Sequence, residues 1–332
     1  MWLALAGRGW GKTRTGAEDV AWYACANPGV RIAIVAPTAA DAREPDQSRI
    51  ADQPGPNDPA NVVLIDTQND YRVKVVDQSR GWNPQQGTMF YWNPAKPETQ
   101  FFFNDRDLKT GKVFCVLYDI EQTKRVREYR FDDTPVGNGG VAQNGGWFLG
   151  LNYARMARLR PVTGYKGAWD WTEGIAHPKN DGLFRINVQT GKKKLLVSFH
   201  QMANELKALG RVVKNSHLFI NHSLSNREGD RIFFFARAGW SGQRGERINH
   251  PFITTDKGEN LRSNRIHIGG HPEWDYGHRM IGRLGDRQIL FDTDQQLVAG
   301  LAVRPHAHLV RLGPRAGKHG RFLLQPLGQP ER

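Results

Sequence analysis

Three groups of residues carry side chains able to act on a ligand. The first is Ala6-Gly7-Arg8-Gly9-Trp10-Gly11-Lys12-Thr13. Glycines let a backbone turn so that its N–H groups face phosphate oxygens. A lysine then reaches the terminal phosphates, and a threonine hydroxyl completes a Mg²⁺ shell. Gly7, Gly9, Gly11, Lys12 and Thr13 are therefore expected to hold ATP and Mg²⁺. The strict pattern wants glycine where Ala6 stands, so an ordinary glycine-rich turn is the alternative. The second group is a set of imidazoles: His200, His217, His222, His250, His267, His271, His278, His306 and His308. His306 and His308 would point to one face if they lie on a strand. The third is the stretch 145–171, with Trp147, Tyr153, Arg155, Arg158, Arg160, Tyr165, Trp169 and Trp171. Aromatic faces stack on sugar rings or bases and arginines attract acids. The alternative for this stretch is core plus a solvated insertion.

The elements that must position these groups are mostly strands. The chain has 332 residues, enough for one large or two modest domains, and its 36 glycines favour turn-rich β structure over a helical bundle. Helical periodicity is confined to 15–26 and 202–209. Residues 1–44 read as strand, glycine loop, helix, strand, one βαβ unit too small to hold together alone. Residues 45–61 contain Pro45, Pro54, Pro56 and Pro59 and few apolar side chains, the texture of a linker. From 62 to 300 short strands alternate with turn residues: 62–65, 71–76, 88–92, 100–103, 113–119, 126–131, 146–152, 182–188, 194–199, 217–221, 231–237, 252–255, 279–282 and 288–292. Such spacing means a sandwich, barrel or propeller.

An internal repeat selects the propeller. A strand end with a polar residue and a tight turn recurs at Asp119, Asn187, Thr254 and Asp292, spaced by 68, 67 and 38 residues. A propeller blade takes roughly 40–50 residues, so the longer gaps need insertions, and 137–180 is the expected one. Roughly five or six blades fit, with 301–332 left as a basic tail of uncertain fold.

Net charge is +13, and residues 61–332 carry +14 of it against −1 in residues 1–60. This suits a polyanionic partner, DNA or an acidic polysaccharide, or a basic surface with no dedicated partner. No apolar run approaches membrane-spanning length and no signal peptide is visible, so no membrane partner and a cytoplasmic location are expected. Cys25 and Cys115 fall in dissimilar segments and are expected to be free thiols.

Two resemblances divide the chain. Residues 3–18 (LALAGRGWGKTRTGAE) and 31–43 (RIAIVAPTAADAR) resemble the opening of the phage terminase large subunit, a DNA-packaging ATPase. That resemblance implies Lys12 and Thr13 as nucleotide contacts. A magnesium strand must accompany them, and the candidate is 62–65 followed by Asp66, with Thr67 where the family pattern has glutamate. Residues 83–92, 219–236 and 267–282 resemble bacterial β-propellers of the oligogalacturonate-lyase-like, WD40-like type, over roughly 62–298. By that resemblance His222, His271, His306 and His308 would hold a divalent metal, Mn²⁺ or Ca²⁺, that acidifies a proton beside a uronate carboxylate. Arg227 or Arg237 would grip that carboxylate, with Trp147 and Trp169 as ligand-facing aromatics. Hydrogen-bonding of His222 and His271 at blade turns is the alternative.

The expectation is a mainly β chain, a propeller preceded by a short α/β phosphate-loop fragment, put together as a chimera. It would bind an acidic carbohydrate, with metal-assisted lyase cleavage as an added activity, or act as an interaction platform. A fragment of a packaging ATPase is the competing reading.

Overall fold

The computed structural model describes residues 2–6, 31–36, 55–66, 72–240, 245–264, 266–285 and 287–302. Within them the chain forms five four-stranded sheets. The first contains β1 (Trp2–Ala6), β2 (Arg31–Ala36), β3 (Ala60–Asp66) and β4 (Arg72–Ser79). The second contains β5 (Tyr91–Trp92), β6 (Gln100–Arg106), β7 (Val113–Asp119) and β8 (Lys124–Tyr129). The third has β9 (Gly137–Val141), β10 (Trp147–Leu151), β11 (Gly182–Asn187) and β12 (Lys193–Ser198). The fourth has β13 (Phe219–Ser225), β14 (Arg231–Ala238), β15 (Ile248–Thr255) and β16 (Arg262–Ser263). The fifth has β17 (Gly269–Trp274), β18 (Arg279–Leu284), β19 (Arg287–Asp292) and β20 (Leu297–Ala302). The last four are antiparallel meanders in chain order.

Alternation along the strands explains why the sheets stack. Side chains of a strand point to opposite faces in turn. In β6, Phe101 and Phe103 pack with Val62 and Leu64 of the first sheet, whereas Phe102 packs with Phe148 and Phe184 of the third. In β14, Phe234 joins Leu149 of the third sheet, whereas Phe233 and Phe235 join Trp274, Met280 and Phe291 of the fifth. All five of these β6 and β14 phenylalanines apart from Phe235, at 3%, are fully buried. Burying such a side chain stabilises by about 1.5–3 kcal/mol. The row bends, because Tyr91 of β5 and Glu273 of β17 lie close enough for the carboxylate to raise the phenol. The result is a propeller-like arrangement in which the first strands of the sheets converge.

The recurring turn has one structural meaning. It joins the third strand of a sheet to the fourth. Asp119 Oδ1 accepts from Gln122 N at 2.9 Å, Asn187 Oδ1 from Thr190 N at 2.7 Å, and Asp292 Oδ1 from Gln295 N at 2.8 Å. Thr254 uses its hydroxyl instead, donating to Glu259 O at 2.8 Å. The long spacings come from an insertion, residues 152–181 between β10 and β11, and from helix α2 (Phe199–Ala208) before β13. A capping box between Ser198 and Gln201 starts that helix.

Two expectations change. The N-terminal strands do not stand apart from the rest, because β2 pairs antiparallel with β3 across the expected linker. Asp66 is level with Arg31 and hence with Trp2, about 13 Å along the strand from Ala6, and the glycine loop it was expected to serve lies outside the described residues. The 152–181 insertion also contains a helix that periodicity did not show, α1 (Tyr153–Leu159). At seven residues it is too short to stand alone, and tertiary contacts hold it. Arg155, 0% exposed, donates to Thr172 Oγ1 at 2.9 Å, Ile175 O at 3.0 Å and Ala176 O at 2.7 Å. Nearby Asp181 accepts from Asn152 Nδ2 at 2.9 Å and Gly182 N at 2.7 Å. Burial pushes its carboxyl up to about 6, against the pull of Arg155.

Candidate functional site

In each of the last four sheets, the connection from second to third strand emerges at one end, here called the upper end. It carries the turn 107–112, the insertion 152–181 and the hairpin between β14 and β15. The insertion touches both turns: Trp169 N donates to Gly111 O at 2.9 Å, and the Arg160 guanidinium lies 4.7 Å from the Trp240 ring.

The first strands, which start at this end, are irregular. The β13–β14 register shifts between Asn221 and Leu224, and the β17–β18 register shifts between Gly269 and Glu273. His222 and His271 occupy these shifts with φ of 56° and 60°, a left-handed conformation that an extra residue in a strand allows. In β9 the equivalent place is taken by Gly140, φ 154°, where a Cβ would lie 2.9 Å from Ser223 O. The two histidine rings meet, with centroids 5.1 Å apart. Sequence reasoning grouped these two, and the structure brings them together. Among the described residues no group of three or more His, Cys, Asp or Glu is placed to hold a metal. His306 and His308 lie outside the described residues, as do Gly7, Gly9, Gly11, Lys12, Thr13 and Cys25. Cys115 is a buried free thiol, pushed well up by burial.

Beside the histidine pair is a concentration of cations. Arg237, level with Phe219 at the upper end of β14, is 9% exposed. Its Nε donates to Asn249 Oδ1 at 2.8 Å and its Nη1 to Asn221 Oδ1 at 3.1 Å. The guanidinium lies 4.8 Å from the Phe235 ring and 5.5 Å from Trp240. Arg247 lies 4.2 Å from the same indole. Three arginines thus share Trp240, and among the described residues none of them forms an ion pair with a carboxylate. Glu246, adjacent in sequence to Arg247, is taken by Arg211 and by the Val212 N–H. Burial and the Arg160 charge push Arg237 down to about 9. Burial and Arg247 lower Arg160, whose buried Nη1 has no hydrogen-bond partner. Around Phe235, His267 lies 5.7 Å and His222 6.3 Å away. His267 is lowered by burial and by Arg237. His250, bonded to Ser263 Oγ at 2.6 Å, is pushed down to about 4 by burial, Arg211 and His267. The cluster therefore holds strong positive charge beside imidazoles that burial keeps neutral, His250 and His267, a combination that attracts an anion and offers it a desolvated fork.

The other expected residues separate. Arg227 follows β13 at its far end, roughly 20 Å along the strand from Arg237, and lies 5.0 Å from the Tyr276 ring. It cannot share a ligand carboxylate with Arg237. Trp147 is 2% exposed, with Arg185 5.2 Å from its ring, so it is a core side chain and has no face to offer a sugar. Trp169 is 44% exposed. Sequence reasoning missed Trp240, Arg247, Asn221 and Asn249. They stand on a hairpin and on neighbouring strands, and only pairing of β14 with β13 and β15 gathers them.

No family model matches the sequence, and no curated protein matches it. Among solved structures the chain is similar to an oligogalacturonate lyase in complex with manganese, at 12% identity and a TM-score of 0.46, covering 72% of this chain. The chain spans 58% of that lyase's length. It is also similar to a TolB structure from Agrobacterium tumefaciens, at 13% identity and TM-score 0.41, over 74% of this chain and 76% of that one. A third is the hydrazine synthase of Kuenenia stuttgartiensis, at 12% identity and TM-score 0.41, over 70% of this chain and 59% of that one.

Proposed function

We propose that the upper arginine cluster binds an acidic carbohydrate through Arg237, with Arg160 and Arg247 adding attraction and the Trp240 ring a stacking surface. The observation that carries this is the state of Arg237: a nearly buried guanidinium held in place by two neutral amide oxygens, with no carboxylate partner among the described residues. Burying a charge without a counter-charge is costly, and an arriving carboxylate offsets the cost. A carboxylate suits the planar fork better than a DNA backbone would. Duplex phosphates are met by rows of exposed Lys and Arg, whereas only Arg247 of the three arginines is exposed.

The proposal is of binding. A divalent ion beside His222 and His271 would draw its remaining ligands from His306 and His308. The described residues alone do not complete such a site, so no reaction step is derived through it.

Calorimetric titration with a galacturonic-acid oligomer, a neutral glucose oligomer and an oligodeoxynucleotide tests the reading. The acidic sugar should bind, and Arg237→Gln should weaken it about 30-fold or more, the loss expected when one partner of a buried charge pair is removed. Equal binding of acidic and neutral sugars, or a preference for the nucleotide, would overturn it. The melting temperature of Arg237→Gln shows that the variant is folded.

A further inference from the structure

We infer that the ligand is an extended chain, engaged at a second station built around Trp169 at the other end of the insertion. This rests on the Arg237 reading above and deepens it from a single acidic sugar to an oligomer.

Trp169 is a large aromatic left 44% exposed on a segment that is otherwise firmly tied. Its backbone N–H bonds Gly111 O at 2.9 Å. Gly111 adopts φ 71°, and a Cβ there would meet Trp169 N at 3.1 Å and Gly167 O at 3.2 Å, so the close approach needs glycine. On the other side Arg106, 4% exposed, donates to Gly167 O at 3.1 Å and to Asn57 Oδ1 at 3.1 Å. An aromatic ring presented on a fixed backbone loses little freedom when a sugar stacks on it. The surroundings are basic: Lys109 and Lys166 are exposed on the same two loops, and Lys112 Nζ, paired with Asp132 Oδ1 at 3.0 Å, lies 5.8 Å from the indole. The acids nearby are engaged. Asp107 caps its own turn through Lys109 N and Thr110 N, and Asp170 holds Arg158 and Thr172.

One insertion connects the two stations. Its Arg160 reaches the hairpin of the fourth sheet, and its Trp169 reaches the turn of the second. Two sheet-to-sheet spacings separate those turns, on the order of 20 Å. A single sugar ring cannot touch both, and an acidic oligosaccharide lying across the insertion can. The charge complementarity runs along the whole path: Arg247, Arg237, Arg160, Lys166, Lys109.

The test is the dependence of affinity on oligomer length. Uronic-acid oligosaccharides from monomer upward are titrated into the wild type, Trp169→Ala and Lys109→Glu/Lys166→Glu. Affinity of the wild type should rise with length. Trp169→Ala should leave the shortest binding oligomer unchanged and cost the longest about tenfold. The double charge reversal should act in the same length-dependent way. Loss at every length, or at none, would overturn the second station. If Arg237→Gln leaves all lengths unaffected while Trp169→Ala weakens the longer oligomers alone, the primary site has failed and the second station has not.

Discussion

The two ends of the sheets use the same cations in opposite ways. At the upper end Arg160, Arg237 and Arg247 surround Trp240 with no acid paired to them among the described residues. At the lower end Arg231, Arg262 and His278 all converge on Asp294, and Asp230 also takes Arg231 and His278. The lower cluster is neutralised internally and ties the turn after β13 to the turns of the fifth sheet. The upper cluster repels itself, and burial lowers the two arginines that are least exposed to water. A fold that needed only stability would have no reason to keep both patterns. The contrast teaches that net charge of +13 says little until the cations are sorted by whether a carboxylate answers them.

The sharpest way to break the contrast is to give the upper end an acid. Asn249→Asp places a carboxylate oxygen where Asn249 Oδ1 already stands, 2.8 Å from Arg237 Nε. Binding of an acidic oligosaccharide should fall about a hundredfold or more, because like charges brought together cost several kcal/mol. At the same time the melting temperature should rise by about 2–4 °C for each 1 kcal/mol that the new pair contributes. A drop in stability would show that Arg237 is already answered by something else.

Next in size is acid sensitivity. His250 titrates at about 4 in the fold and about 6.5 when unfolded. Its folded value lies below its unfolded one, so its contribution is complete above pH 6.5 and is lost as pH falls toward 4. The groups facing it are Arg211, His267 and Ser263. His250→Gln should flatten the decline in unfolding free energy over that window by roughly 2 kcal/mol. An unchanged slope would place the acid sensitivity elsewhere.

The smallest effect belongs to the lower end. Asp294→Asn removes the shared acid from Arg231, Arg262 and His278. Partly exposed pairs contribute modestly, so chemical denaturation should show a loss of about 1 kcal/mol that shrinks in high salt. Binding of acidic sugars should not change. If it weakens as much as in Asn249→Asp, the two ends are not independent.

Much of the frame was legible. Interior strands such as 113–119 and 231–237 are largely apolar and buried on both faces, and the turns after the third strands β7, β11 and β19 carry the Asx signature. Of the first strands, β1, β5 and β13 overlap expected strands, and β9 and β17 were not legible. β9 reads Gly-Asn-Gly-Gly-Val and β17 reads Gly-Gly-His-Pro-Glu-Trp, compositions that mark loops when taken alone. They are strands because neighbouring chain presses close there, as Ser223 does on Gly139 and Gly140, and the register shifts in β13 and β17 set His222 and His271 in left-handed backbone. The histidine pair could therefore be named but not placed. The arginine cluster was half visible: Arg160 and Arg237 were singled out, but nothing local ties either to Trp240. Arg227 looked equivalent to Arg237 because sequence does not say which end of a strand a residue flanks. Trp147 looked equivalent to Trp169 because burial comes from β10 having sheets on both sides.

The phenylalanine triplets 101–103 and 233–235 carry a further meaning for how the molecule comes apart. Each sends consecutive rings into different neighbours, so no sheet owns a private core. Peeling away any interior sheet would strip an apolar face from the sheets on both sides. The stack therefore couples its layers as they melt, and a cut made between two sheets leaves both fragments with an uncovered greasy surface.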